Sequence, residues 1–458
     1  MESFIKMQQW QQSEDTEEAL NTLPHLNLED ISKEVKMPET TVSNILGREV
    51  LQVSTNTNGI VYLNLYFDIA DLSEEDLKML NVLTGCLGEL RTAQSSAEKV
   101  QTRIKALMGH FSSKIVLMAK QGKLEECKPY LHVSVSMLEE NAAEAMELLE
   151  ELLLHGKYDE MDKIYETLLQ YDYFQKQSLI GEGHMFAMTK ALSTISKENA
   201  LKELISGESF VKWFSAFTDE FPEKRERCCQ QFETLAKQVF VKNRLFIGYG
   251  GRMQLEELEH LIQVLPDGTI GKTAGCSVFE QIEEKIEIPS SVGFSAMGHN
   301  LYALGGRYSG SCVVLSSLVS YGYLWNAVRV QGGAYGTGMS IRPNGDVLCY
   351  SYRDPKVETT KEAYLGIGEF LEEVLEEDMP LDDMIIGTVN SSDPLLDPAG
   401  ICDLECSRYL KGITHEHVAQ VRKEILETTG EDLKEMLEPL QGFLEKGKFC
   451  AVGNFTKE

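Results

Sequence analysis

YLHVSVSMLEENAAEAMELLEELL (residues 130–153) and VLCYSYRDPKVETTKEAYLGIGEFLEEVL (residues 347–375), laid side by side, decide the fold of this chain. Each opens on the apolar–polar alternation of a strand with one buried face, then changes to the three- and four-residue apolar spacing of an acidic amphipathic helix. In the second stretch Thr359 and Glu362 have the spacing of a capping box. A long run of helical pattern follows each. Each run then closes on a helix, a basic turn and a strand, TLAKQVFVKNRLFIGYGG (234–251) in one half and EPLQGFLEKGKFCAVGNF (438–455) in the other. Similarity that keeps its order at half the chain length implies an internal duplication. The seam is PDGTIGKTAGCSV, residues 266–278, the clearest linker. An α+β protein is expected, with one domain over 46–265, the linker 266–278, a second domain over 279–458 and a leader over 1–45.

The size agrees with more than one core, since 458 residues exceed what one core ordinarily fills. With 43% hydrophobic and 25% charged residues the composition is globular. A net charge of −29 leaves no basic stripe to neutralise phosphates, which argues against a nucleic-acid partner. The same field would gather cationic ligands, although acidic surfaces also serve solubility alone. Ten cysteines are scattered without a CxxC pair, so buried thiols in a reducing compartment are expected, the cytoplasm first and a mitochondrial matrix as the alternative. The first twenty residues carry acids early and no apolar core, unlike a signal or transit peptide. Residues 308–328 have no charge but hold five serines, an Asn and two glycines; a helix buried in a domain is expected there, not a membrane span.

Nearer the amino terminus, NTLPHLNLEDISKEV (21–35) reads as an extended, acid-flanked connector. REVLQVST, the NTNG turn and IVYLNLYFDI (48–69) read as a hairpin. In its second strand Val61, Leu63, Leu65, Phe67 and Ile69 share a strongly buried face. Ser73 is placed to cap the next helix, with Asp76 in its first turn.

Familiar chemistries are mostly missing. GTIGKT (268–273) resembles the end of a phosphate-binding loop, but Pro266 stands where the first glycine belongs and removes a backbone donor. None of the nine histidines has a second four residues away, so neither HExxH nor HxxEH occurs and no metal site is expected. His415 and His417 read as solvated residues of a helix start, and His299 as a structural residue of a strand. GxSxG is absent and no cysteine sits beside an activating histidine.

What remains is RVQGGAYG, residues 329–336. The helix before it presents Val314, Leu318, Tyr321, Trp325 and Val328 at helical spacing, a stripe expected to face the core. Arg329 ends that helix, where unpaired carbonyls favour a cation by about 0.3–1 kcal/mol. Gly332 and Gly333 permit a sharp turn into the strand MSI, which pairs through RPNG with DVLCYSYRDP. The residues alone leave open whether Arg329 and Tyr335 are functional or are a helix cap and a strand-start aromatic.

LWNAVRVQGGAYGTGMS (324–340) followed by DVLCYSYRDPKVETT (346–360) resembles the carboxyl-terminal half of the presequence-protease branch of the insulinase/pitrilysin zinc metallopeptidases. The resemblance continues through DDMIIGTVNSSDPLLDPA (382–399), YLKGITHEHVAQVRKEIL (409–426) and the KFCAVGN strand, and reaches back to residues 8–34. It implies two related α/β sandwich domains with mixed, mainly antiparallel sheets and helices, the family's third and fourth, behind a connector from its mid-chain. It also implies a partner half, on the same polypeptide or separate, that carries an HxxEH zinc site; no cofactor is expected on this chain. By the same resemblance Arg329 would contact a peptide backbone and Tyr335 would hydrogen-bond the scissile carbonyl as it becomes an oxyanion, with Gly332 and Gly333 shaping the contact. The function implied is the substrate-binding, non-zinc half of a metalloendopeptidase for short unstructured peptides, basic ones favoured by the charge. The alternative is a non-catalytic scaffold or binding subunit that keeps the fold. Arg353, in SYRDP, is read as structural.

Overall fold

The computed structural model describes residues 26–282, 284–377 and 379–455, with Thr16 and Thr22. The first part of the expected leader, up to residue 25, otherwise lies outside the described residues. From there Leu28 and Ile31 pack against Ile385, Val389 and Ile425 of the second half, and the Arg422 guanidinium donates to the Ser32 carbonyl at 2.7 Å.

Two sheets form. The first holds β1 (Thr40–Ile45), β2 (Arg48–Val53), β3 (Ile60–Asp68), β4 (Met108–Ala119), β5 (Cys127–Leu138) and β6 (Leu245–Gly250), in the order β1-β2-β6-β3-β5-β4. The second holds β7 (Lys285–Glu287), β8 (Gly293–Asn300), β9 (Gly336–Ile341), β10 (Asp346–Asp354) and β11 (Lys448–Gly453), in the order β7-β11-β8-β10-β9. Leaving β1 aside, the orders coincide strand for strand. β2 pairs with β6 in parallel, as β7 does with β11, and every other neighbour is antiparallel. The duplication read from the paired strand–helix passages is a duplication of topology.

That topology corrects the hairpin. β2 and β3 do not pair, because β6 returns from far along the chain and inserts between them. The tight hairpin is β1–β2 instead, turned by Leu46 and Gly47, both at positive φ. The capping box is also displaced. Helix Val357–Leu365 starts before Thr359, and Asp354 serves its first turn by accepting from the Lys356 N–H and the Thr360 hydroxyl. Ser73 does cap helix Glu74–Thr84, accepting from the Asp76 N–H.

Both faces of β3 are covered. Val61, Leu63, Leu65 and Phe67 are wholly buried in the first core, while Tyr66 on the opposite face meets Cys402 and Cys406. The covering helix, Pro398–Lys411, comes from the second half and lies across β2, β3, β4 and β6. Reciprocally, helix Gly183–Leu192 from the first half covers β8, β10 and β11, burying Ala187, Ala191 and Leu192 against Phe294, Ala296 and Leu348. Each half therefore lends the other a helix. Glycine permits the close approach: a Cβ at Gly248 would lie 2.1 Å from the Cys406 sulfur, and one at Gly183 would lie 2.4 Å from the Phe294 ring. The buried Asp346 carboxylate accepts from Asn199 at 2.8 Å and from Asn300 at 3.1 Å, tying the halves again.

Candidate functional site

The uncharged run folds as an α-helix, Gly310–Ser317, that continues as a π-helix, Leu318–Gln331. By length and composition it passes for a membrane span, yet it lies on β9 with 56% of its apolar window buried. The winding changes which side chains face inward. Val314, Leu318 and Val328 are buried as the spacing implies, but Tyr321 and Trp325 are exposed. A π-helix bonds each residue to the fifth along, so a three-residue step no longer returns to the same face. Val319, Leu324 and Val328 take the core, and Tyr321, Trp325 and Arg329, four apart, form a row toward solvent.

Past Arg329 the helix closes on its glycines. Gly332 donates to the Ala327 carbonyl, Gly333 to Arg329 and Ala334 to Val328, at 2.9–3.1 Å. Gly333 has φ +90°, the left-handed conformation that commonly follows a helix. At Gly332 a Cβ would lie 2.3 Å from the Val328 carbonyl oxygen. The turn delivers Tyr335 to the edge of β10, where its N–H donates to the Tyr352 carbonyl at 3.0 Å and the Arg353 carbonyl at 3.3 Å. Those carbonyls converge because β10 bulges there, with Arg353 at φ +48°. Arg353 thus contributes its backbone here, and its guanidinium lies 5.5 Å from the centre of the Tyr352 ring.

Tyr335 is 67% exposed, with its ring edge-on to Tyr352 at 6.0 Å. The Arg329 guanidinium lies 4.1 Å from the centre of the Trp325 ring and 5.6 Å from that of Tyr335. Among the described residues Arg329 has no ion-pair partner. Stacking between two rings stabilises a cation and costs it none of its in-plane donors.

Arg329 and Tyr335 line a groove of about 690 Å³ along the outer edge of β9. On one side stand Tyr321 and Trp325; on the other, Tyr350, Tyr352 and His184. His184 is enclosed by the rings of Phe294, Tyr350 and Tyr352, and burial lowers its pKa. The edge of β9 is itself occupied in part: the Met339 N–H donates to Ser320 Oγ at 2.8 Å and the Ile341 N–H to Ser316 Oγ at 3.0 Å. These hydroxyls donate in turn to the carbonyls of Ser316 and Cys312. Along that stretch no added strand can pair without displacing the serines. Sequence reasoning missed the groove's far wall because His184 reaches it on the exchanged helix, which no local pattern reveals.

The other candidates resolve simply. Among the described residues no three of His, Cys, Asp and Glu converge to hold a metal, so the residues present do not fit a zinc ion. His415 is solvated only in part: a third of its side chain is exposed, and its Nε2 lies 2.7 Å from the buried Glu405 carboxylate. His417 is half-buried, and its N–H donates to Thr414. His299 lies in β8 and burial lowers its pKa. All ten cysteines are free thiols and all but Cys276 are buried. Residues 266–282 form no helix or strand, and the Gly268 N–H donates to Asn243.

Compared with known families, residues 1–216 match the associated domain of peptidase family M16, subfamily C, and residues 283–452 match the PreP C-terminal domain. The chain is a distant homologue of the presequence proteases. Presequence protease 1, chloroplastic/mitochondrial, of Arabidopsis thaliana is 28% identical over 453 residues, 97% of this chain and 42% of that protein. Protein HypA of Clostridium perfringens is 28% identical over 457 residues, 99% of this chain and 47% of that protein. This presequence-protease-like chain therefore spans less than half the length of these relatives. Its two mixed α/β sheet domains match solved structures at lower identity. A peptidase M16 inactive domain from Pseudomonas fluorescens superposes with TM-score 0.59 at 16% identity, covering 91% of this chain and 98% of that one. A conserved protein from Enterococcus faecalis gives TM-score 0.59 at 13% identity, covering 92% and 99%.

Proposed function

We propose that this chain is the non-catalytic half of a zinc metalloendopeptidase for short unstructured peptides, and that it holds the peptide in the Arg329–Tyr335 groove. The observation that carries the reading is the unpaired Arg329, fixed by Trp325 beside a hydroxyl-bearing ring and open to a groove. In this role Arg329 donates to main-chain oxygen atoms of the peptide. Tyr335, its backbone pinned by two carbonyls, donates to the carbonyl that gains charge as it is attacked. A donor oriented before reaction stabilises developing charge without reorganisation, and losing one costs about 10²–10³ in turnover.

A second reading, a subunit that keeps the fold without touching substrate, draws support from the likeness to a solved inactive M16 domain. The deciding experiment combines the chain with a zinc-bearing half and follows cleavage of an unstructured fluorogenic peptide. Tyr335→Phe and Arg329→Ala are expected to lower kcat/KM by about 10²-fold or more while leaving assembly of the halves intact. Unchanged turnover in both variants would select the second reading.

A further inference from the structure

The chemistry of the groove specifies one end of a peptide, a specificity that rests on the reading that the groove holds peptides at all. Arg329 is the cation of the lining, and among the described residues it has no carboxylate partner. Glu182 is the carboxylate of the lining; it is 55% exposed and lies 3.7 Å from His184. A neutral carbonyl would leave the charge of Arg329 uncompensated, whereas a carboxylate would compensate it in the planar, two-bond geometry that guanidinium favours.

The serines of the wall are already committed. Ser316 and Ser320 have spent their hydroxyls on β9 and on their own helix, and Ser317 is bonded to Thr388 at 2.9 Å. Gly336 and Gly338 leave the surface of β9 bare, and Tyr350 lies across that gap with its hydroxyl 3.2 Å from where a Cβ on Gly338 would stand. Tyr321, Trp325, Tyr335 and Tyr352 complete an aromatic surround. Such a lining favours a flat apolar group. A lysine or arginine side chain would meet Arg329 there, so the net charge of −29 does not describe the groove.

We propose that the groove is a receptor for the carboxyl end of a peptide whose last residue is aromatic, with Arg329 taking the terminal carboxylate and the tyrosine-lined, glycine-floored surface taking the ring. The occupant is a free peptide terminus, such as the new end that peptide cleavage itself creates.

The test measures fluorescence-anisotropy binding of an amino-terminally labelled unstructured decapeptide to the 458-residue chain. The peptide is made in three forms, ending in Phe with a free carboxylate, in Phe-amide and in Lys with a free carboxylate. Amidation is expected to weaken binding by about tenfold or more, the loss of one charge-assisted contact, and Phe→Lys by a similar factor. Arg329→Gln should bring the free acid down to the amide's affinity, and Trp325→Leu should do so in part with Arg329 retained. If acid and amide bind within twofold while Arg329→Gln weakens both, the groove reads internal backbone carbonyls; the carboxylate proposal then falls and the peptide-holding reading stands. If the Lys-ended peptide binds as well as the Phe-ended one, the aromatic subsite is refuted. If no form binds, both readings fail.

Discussion

Substituting Gly248 by alanine tests the exchange of helices most directly. Gly248 lies in β6, held between β2 and β3, so its backbone has no room to retreat. An added Cβ would lie 2.1 Å from Cys406 Sγ, against ordinary contact at 3.4–4 Å, so the sulfur or its helix must move by about 1.3 Å or more. Cys406 is wholly buried against Tyr66, which closes the easy escape of a rotamer change. Overpacking of this kind costs about 1–3 kcal/mol. Urea unfolding followed by fluorescence should show that loss for Gly248→Ala, and hydrogen exchange should show helix Pro398–Lys411 opening more readily than in the parent. Cys406→Ala removes the atom that is struck, so the double variant should recover about 1–2 kcal/mol relative to additivity. Gly387→Ala is the matched control: a Cβ there meets nothing within 4 Å in helix Asp382–Ser392, so it should stabilise by about 0.5–1 kcal/mol. A Gly248→Ala variant as stable as the parent, or an additive double variant, would show that the helix does not sit in the glycine gap.

Ser320→Ala should cost about 1 kcal/mol by orphaning the Met339 N–H, and size-exclusion chromatography should show association through the uncovered β9 edge; an elution volume and a stability both unchanged from the parent would refute the capping role. His132 gives a pH dependence of known sign. Burial, with Lys114 and His110 adding repulsion, lowers its pKa to about 3. The unfolded chain therefore binds the proton first, and stability present above about pH 6.5 is lost as pH falls toward 3, with a limiting slope of about 1.4 kcal/mol per unit. Urea midpoints of His132→Gln against the parent at pH 7, 6, 5 and 4 should converge as pH falls; parallel curves would overturn the assignment. Trp325→Ala, with Arg329 kept, should lower kcat/KM in the combined halves by about two- to fivefold, the equivalent of a stack worth about 0.5–1 kcal/mol at an exposed site; an unchanged value would show that Arg329 needs no support.

How much of this is legible in the residues depends on how local the cause is. The repeated strand-to-helix passages disclose the duplication because periodicity is a property of neighbouring residues. The Ser73 cap and the β9–β10 hairpin are legible for the same reason. The hairpin expected of β2 and β3 does not form, because a sequence does not show that β6, far along the chain, lies between the strands. Tyr321 and Trp325 fall on the core face only if apolar spacing is taken at the α-helical period, and the chain winds with a longer one. The groove itself joins a row on a π-helix, an edge strand and His184 on a helix lent by the other half.

The sequence by itself determined two related α/β units and a corner where an arginine and a tyrosine stand at fixed spacing among glycines. Tertiary structure decided that the arginine is unpaired, that two rings hold it and that the tyrosine faces a groove. It also decided which helix covers which sheet. The physical reason is one of range: turn, cap and strand preferences act over a few residues. Burial, ion pairing and the lining of a cavity are set by side chains brought together only when both sheets have formed and exchanged their covering helices.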